Sequence, residues 1–526
     1  MQEEDIYELF NNGEITEEEK NNMLYLLASP IDINHDPLIR IASLPGADIE
    51  LAEKIIRLRE KINGFKSLSD LIALPEISEN RISMWQSFIL IFPLQKNYFY
   101  QKIKYQDDLN KTYEPYISDE LFFRSGKYYI GILGIYNPGK KIEDKNGIHK
   151  YFIFHEGNSL LKKLIIGNYK AGFGSGVTLS NSWQNYNEFI YDNGIENKFY
   201  GIGIKIKPDK KISATYIYSM PIPNTEQKYE NILNGINLNY EIKDSKWDAG
   251  ITWYQSKLIN SFDSTSYKTG KKYISAYGAY SDFILNPYLF SFEISQIKTG
   301  SNGELFKIDA HFPKTKTLFI YRSYDKDFIN PYSASFSASD DEPDNSDEMG
   351  IYLKLTHRLS DEFEFGGYYD LWKHPSTAMS GTRKNVQFKS FYGKYLCSEF
   401  YRTWKTDDIK NPVETNNGMQ FQLYFNSEWK FLINFWENTN DYLLNRKYSL
   451  KLFYRLSKIS LYEYQIKKEE NDIHHTDKYI LEQYLQYKII LSKNGQIVLR
   501  LTDKDYSNEY RKEKDYKLNL ELRLLW

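Results

Sequence analysis

The chain ends on Tyr516-Lys-Leu-Asn-Leu-Glu-Leu-Arg-Leu-Leu-Trp526, and the reading of this stretch decides the fold. In an extended strand Tyr516, Leu518, Leu520, Leu522, Leu524 and Trp526 share one face, while Lys517, Asn519, Glu521 and Arg523 share the other. A strand this long and regular suits a tilted crossing of a bilayer, which takes about 9–11 residues, with the final aromatic at the interface. The closing strand of a soluble sandwich has the same alternation, so the rest of the chain has to separate the two.

From about Asn97 onward the period-two pattern recurs. Tyr200, Ile202, Ile204 and Ile206 alternate with glycines and lysines, as do Ile351, Leu353 and Leu355, then Met419, Phe421, Leu423 and Phe425, then Leu450, Leu452, Tyr454 and Leu456. Short turn sequences such as Ser125-Gly-Lys127, Lys243-Asp-Ser-Lys246, Asn286-Pro287 and Ser492-Lys-Asn-Gly495 alternate with long polar stretches such as 258–270, 329–348, 405–417 and 503–515. Short turns on one rim and long loops on the other mark an outer-membrane barrel. A soluble sandwich or propeller does not sort its loops this way. Eleven short turns plus a strand at each end predict a mainly β fold, a large transmembrane antiparallel β-barrel of about 24 strands, within 20 to 26, with both ends on the periplasmic side.

Composition fits a barrel and excludes a helical membrane protein. The chain has 46 Tyr, 31 Phe and 9 Trp among 526 residues, yet its mean hydropathy is -0.59 and it has no long apolar run. A barrel escapes that test because only alternate residues face lipid. The single cysteine, Cys397, excludes an internal disulfide and a thiolate metal cluster. The start, Met-Gln-Glu-Glu-Asp, lacks a secretory signal, so a mature form with its signal removed is expected. Leu522, Leu524 and Trp526 also resemble the C-terminal signal of bacterial outer-membrane barrels, which implies barrel assembly machinery and outer-membrane lipid as partners.

Residues 1–95 read differently. Thr16 and Glu19 form a capping box ahead of an apolar helical stripe. Ile31-Asp-Ile-Asn34, a short helix over 37–43, the hairpin Leu44-Pro-Gly-Ala-Asp48 and a helix from Ile49 to about Lys61 follow. A second round has a helix starting in 64–71, the hairpin Leu74-Pro-Glu-Ile-Ser78, and a closing helix from Glu79 to about Ile91. This order resembles the tandem helix-hairpin-helix repeat of ComEA-type competence proteins. In that family glycine-flanked hairpins bring backbone N–H groups to phosphate. Here Gly46 and Ala47 are followed by Asp48, and Glu76, Ile77 and Ser78 replace the second glycine pattern. The chain's 67 Lys+Arg and 70 Asp+Glu divide unevenly, 8 and 17 in residues 1–95 against 59 and 53 in the rest. DNA binding needs the opposite sign. Nucleic acid is therefore the disfavoured partner, and a plug or a contact with other envelope proteins is expected.

The segment Leu164–Leu179 breaks the simple alternation with Gly172, Gly174 and Gly176. No Gly-Lys-Ser/Thr completes a phosphate loop, so a sharp bend or inward loop is expected. Gly167-Asn-Tyr-Lys-Ala-Gly-Phe-Gly-Ser-Gly-Val-Thr-Leu179 resembles a stretch of large Bacteroidota-type outer-membrane barrels that carry an N-terminal helix-hairpin-helix. Inward-facing basic residues are expected at Lys205, Lys207, Lys451, Arg455, Arg500, Lys517 and Arg523. His474-His475 and the run Asp340–Glu348 read as solvated loops rather than metal sites, and no catalytic or cofactor motif is present. The expected function is a transport or translocation channel or the barrel of an envelope complex. A DNA-uptake port and a barrel enzyme acting on lipid or glycan are the alternatives.

Overall fold

The structure is a computed structural model. It describes Ile6, residues 17–28, 31–34, 38–47 and 49–90, and then the strands from 98 to 525 with part of their connections. Residues 91–97, most of the longer connections and Trp526 lie outside the described residues, as do Thr16, Asp48, His474, His475 and 340–346.

Tyr98–Asp108 begins, and Lys514–Leu525 ends, a closed antiparallel barrel of 24 strands. The last strand pairs with the first, Leu520 opposite Tyr105 and Leu522 opposite Ile103, which closes the ring. The fifth strand, Leu161–Phe173, pairs with the sixth, Phe199–Ile206, and the short strands Leu179–Ser180 and Glu188–Tyr191 pair with the end of the fifth without being members of the ring. The strand bounds leave 2–5 residues at each connection of one rim and 4–25 at the other. The rim asymmetry is less complete than the sequence implies, because 298–301, 375–378 and 440–443 on the second rim span only four residues each.

The two faces of the wall follow from the alternation. On the outside, Ile251, Trp253, Tyr277, Phe292, Ile294, Leu353 and Leu501 are exposed large apolar side chains, a face suited to lipid. Tyr240, Trp247, Tyr288 and Tyr392 lie on the short-turn side, where amphipathic rings anchor at the membrane interface. On the inside, aromatic rings lie over glycines of the neighbouring strand. Trp372 covers Gly381, Tyr401 covers Gly418 and Phe152 covers Gly131, and in each case a Cβ would collide with the ring.

The N-terminal residues form their own core around Ile31, Ile33, Ile55, Leu71, Trp85 and Phe88. Burying each such side chain stabilises by roughly 1.5–3 kcal/mol. Helices span Glu17–Ala28, Leu38–Ala42, Ile49–Lys61 and Glu79–Trp85. Two equivalent turns precede the last two, with Ala47 N donating to Leu44 O at 2.8 Å and Ile77 N to Leu74 O at 2.9 Å. Two expectations are corrected. The helix expected to start in 64–71 is a 3-10 turn, Leu68–Ala73, and the closing helix stops at Trp85. After Trp85, Phe88 O accepts from Ile31 N, and Ile89 and Leu90 pair in parallel with Ile31 and Asp32, a bridge that draws the chain out of the helix.

Asp70 caps the start of the 3-10 turn. Its carboxylate accepts from the backbone N–H of Ser67 at 2.9 Å and of Lys66 at 2.7 Å, which holds it below the usual carboxylate range. A lowered folded-state pKa gives stability that is complete above the unfolded value, about pH 4, and is lost as pH falls through the folded one. Hydrogen exchange at near-neutral pH is expected to show faster exchange at Lys66 and Ser67 in Asp70→Asn than in the parent chain. The difference should narrow toward about pH 3, and a pH-independent difference would remove the carboxylate from the explanation.

Candidate functional site in the lumen

Beyond Phe173 the chain leaves the wall. Residues 171–180 are all buried, and Gly174 and Gly176 adopt positive φ, +61 and +85, where a side chain would be strained. The partner that fixes them is Glu293 on the eleventh strand, Tyr288–Ile297. Its Oε1 accepts from Thr178 N at 2.8 Å and its Oε2 from Val177 N at 3.1 Å. Phe292 and Ile294, on either side of Glu293, are exposed on the outer face, so Glu293 points inward and the segment it holds lies inside the barrel. Space is made by glycines on both partners. A Cβ at Gly174 would meet Glu293 and Tyr280, and one at Gly278 would meet Thr178.

A second inward segment comes from the connection 325–347. Asn330 Nδ2 donates to Val177 O at 3.0 Å and Thr178 O at 2.9 Å, Ser333 Oγ donates to Gly176 O at 3.2 Å, and Ser180 N donates to Tyr332 O at 2.8 Å. The wall holds this segment through Tyr254 OH to Asn330 Oδ1 at 2.5 Å, Ser256 Oγ with Tyr332 OH at 2.8 Å, and Tyr324 OH to Phe336 O at 2.9 Å. Beneath Phe336, whose ring lies 5.1 Å from the guanidinium carbon, Arg322 is fully buried. Its Nε pairs with Glu348, and its Nη1 donates to Asp370 Oδ1 at 2.8 Å. Breaking such a triad by removing one partner leaves a buried charge uncompensated, at about 3–5 kcal/mol.

The expected lumen cations are distributed around the opposite arc and the rims. Lys205 is half-buried on the inward face of its strand, Lys207 lies just past that strand's end, and Arg455 is exposed near the short-turn rim. Lys451 Nζ lies 3.1 Å from Glu463 Oε1, and Arg500 Nε donates to Gln486, whose amide in turn donates to Glu463. Lys517 pairs along the backbone with Thr502 and Asp108, and Arg523 with Gln496 and Lys102, although the Arg523 side chain lies outside the described residues. Leu522 and Leu524 sit opposite Ile497 and Gly495.

The expected hairpin residues have structural partners. Gly46 takes φ +74 beside Arg81. Glu76 pairs with Lys54 at 2.7 Å, which lowers its carboxyl pKa, and Ile77 is buried. Ser78 Oγ accepts from Arg81 N as a helix cap. Ala47 O accepts from Lys316 Nζ at 3.1 Å, a contact between the helical residues and the short-turn end of the thirteenth strand, Thr315–Tyr324.

Sequence reasoning missed Glu293, Arg322, Asp370 and Asn330, and its reading of Glu348 as the end of a solvated loop is corrected, because Glu348 opens a strand and is buried against Arg322. The available signal was a charge flanked by apolar residues, as in Phe292-Glu-Ile294. Among the described residues no group of three His, Cys, Asp or Glu is placed to hold a metal.

Glu293→Ala leaves two buried N–H donors without partners, at about 1–3 kcal/mol each. In a Cys397→Ala background, labelling of Ser175→Cys by a bulky polar maleimide is expected to accelerate at least about tenfold when Glu293→Ala is added. Heat-modifiable migration should be kept as proof of an intact barrel. Unchanged labelling would mean that Glu293 does not hold the segment.

No family model matches the chain, and no curated protein matches it. Among solved structures it is similar to the translocation pore of the P pilus usher PapC, with TM-score 0.40 and 8% identity over 82% of this chain and 99% of that one. It is also similar to a mutant of the ferric enterobactin receptor PfeA from Pseudomonas aeruginosa, with TM-score 0.46 and 7% identity over 82% and 81%. The KdgM porin matches with TM-score 0.20 and 10% identity over 34% of this chain and 92% of that one. At this level the likeness is one of strands closed into a barrel, and it extends to nothing that these proteins carry or bind.

Proposed function

We propose that the chain is an outer-membrane transport or translocation channel, narrowed on one arc by its two inward segments and covered at one mouth by its N-terminal helical domain. The observation that carries the reading is the closed ring of 24 strands, whose interior is too wide for wall side chains alone to fill. Its lining is polar and charged, with Lys389 and Glu399, Lys451 and Glu463, and Lys102 and Glu521 paired across neighbouring strands. Such a wall suits water and hydrophilic solutes.

Residues 1–95 act in this reading as a ComEA-like helix-hairpin-helix module turned to protein contact, placed on the periplasmic side. Two things support it. The first hairpin spends its Ala47 carbonyl on barrel Lys316, and its acidic charge is opposite to the excess of basic residues in the rest of the chain. The tether between the closing helix and the first strand is short, which keeps the domain at the mouth at high local concentration.

Single-channel recording in planar bilayers tests both parts. Deleting residues 1–95 is expected to raise conductance well above that of the intact chain, and high salt should narrow the gap by loosening the domain's contacts. Equal conductance in the two forms would assign the domain to a partner instead. No conductance in either form would end the channel reading.

A further inference from the structure

Four neighbouring strands on the arc opposite the inward segments gather one cluster on the inner face: Lys451, Glu463, Tyr484, Gln486 and Arg500. Backbone register sets Glu463 opposite Gln486 and Gln486 opposite Arg500, and Tyr484 lies in the adjacent row, opposite Gln465. Glu463 is saturated. Its carboxylate receives Lys451 Nζ at 3.1 Å, the Tyr484 hydroxyl, and Gln486 Nε2 at 3.3 Å. Because the Gln486 amide nitrogen is committed to Glu463, its oxygen faces the other way and accepts Arg500 Nε at 2.8 Å. The Arg500 guanidinium carbon lies 4.4 Å from the centre of the Tyr484 ring, a stacking distance.

Arg500 is thus held at one edge and across one face, while the rest of its fork stays uncommitted. Among the described residues it makes no ion pair, and neither Nη1 nor Nη2 has a hydrogen-bond partner. Lys451 is neutralised by Glu463, so the cluster keeps one net positive charge, carried by Arg500.

We propose that Arg500 is an oxyanion-binding step on the conducting wall, taking the carboxylate or phosphate groups of passing solutes on its free fork. A planar guanidinium with two adjacent N–H groups matches such oxyanions bidentately, and here its orientation is fixed before the solute arrives. The inference rests on the channel reading and adds to it the sign and shape of what the wall prefers.

The test uses the full chain in planar bilayers with potassium chloride, and inorganic phosphate and acetate as separate probes. Each is expected to reduce the chloride current saturably, and block by both assigns the shared oxyanion chemistry rather than either source. Arg500→Gln should weaken block at least about tenfold, the scale of losing a hydrogen-bonded charge, and shift the reversal potential toward cations. Arg500→Lys keeps the charge and removes the fork, so it should hold the reversal potential while losing most of the block. Heat-modifiable migration establishes that each variant is folded, and failure of the glutamine form to fold leaves the lysine form to decide. Block equal in the parent chain and Arg500→Lys would overturn the proposal, as would a conducting parent chain with no block at all. A parent chain that never conducts fails one level earlier, at the channel reading.

Discussion

Everything in this protein depends on the last strand finding the first. In hydrocarbon an unpaired backbone N–H or C=O loses several kcal/mol against water, and pairing of Lys517–Leu525 with Tyr100–Asp108 joins the first and last strands of the ring. Closure also fixes which residues face lipid. Leu520 and Leu522 lie outside because Glu521 lies inside near Lys102, and a slip of one residue in the last strand would turn its leucines inward. The terminal alternation is thus the seam of the ring.

Closing 24 strands creates a second problem, an interior that the wall cannot fill. The chain meets it unevenly. On one arc, glycines at 174, 176 and 278 let two connections fold inward and bond to Glu293, Tyr254 and each other. On the other arc, paired charges and amides line the wall, and Arg500 is positioned by Tyr484 and Gln486. The buried triad of Arg322 with Glu348 and Asp370 stands at the first arc, where burial makes a lone charge untenable.

The ring was legible from the sequence because each strand carries its own signal. Period-two alternation at Ile351–Leu355 or Leu450–Leu456, and turn chemistry at Asn286-Pro287 or Lys243–Lys246, are local facts, and eleven short turns count the strands. What fills the ring was not legible. The glycines at 172, 174 and 176 announce a bend, but the partner of that bend is Glu293, and nothing in the segment Phe292-Glu-Ile294 points back to Val177. Ser78 read as a lost glycine, whereas its hydroxyl caps the following helix, and the closing helix ended early because Phe88 and Ile89 bridge to Ile31, a contact that no local propensity encodes.

The separation along the chain between the inward segment and its anchors has a bearing on how the molecule is made. Val177 and Glu293 lie 116 residues apart, and Asn330 lies 153 from Val177. Hairpins between sequence neighbours close over short loops and form early, while contacts of this span wait on the strands between them. The wall through the thirteenth strand therefore has to be in register before the Gly-rich segment has anywhere to go. The arc of wall between the segment and its anchors thus precedes the contacts that fill it.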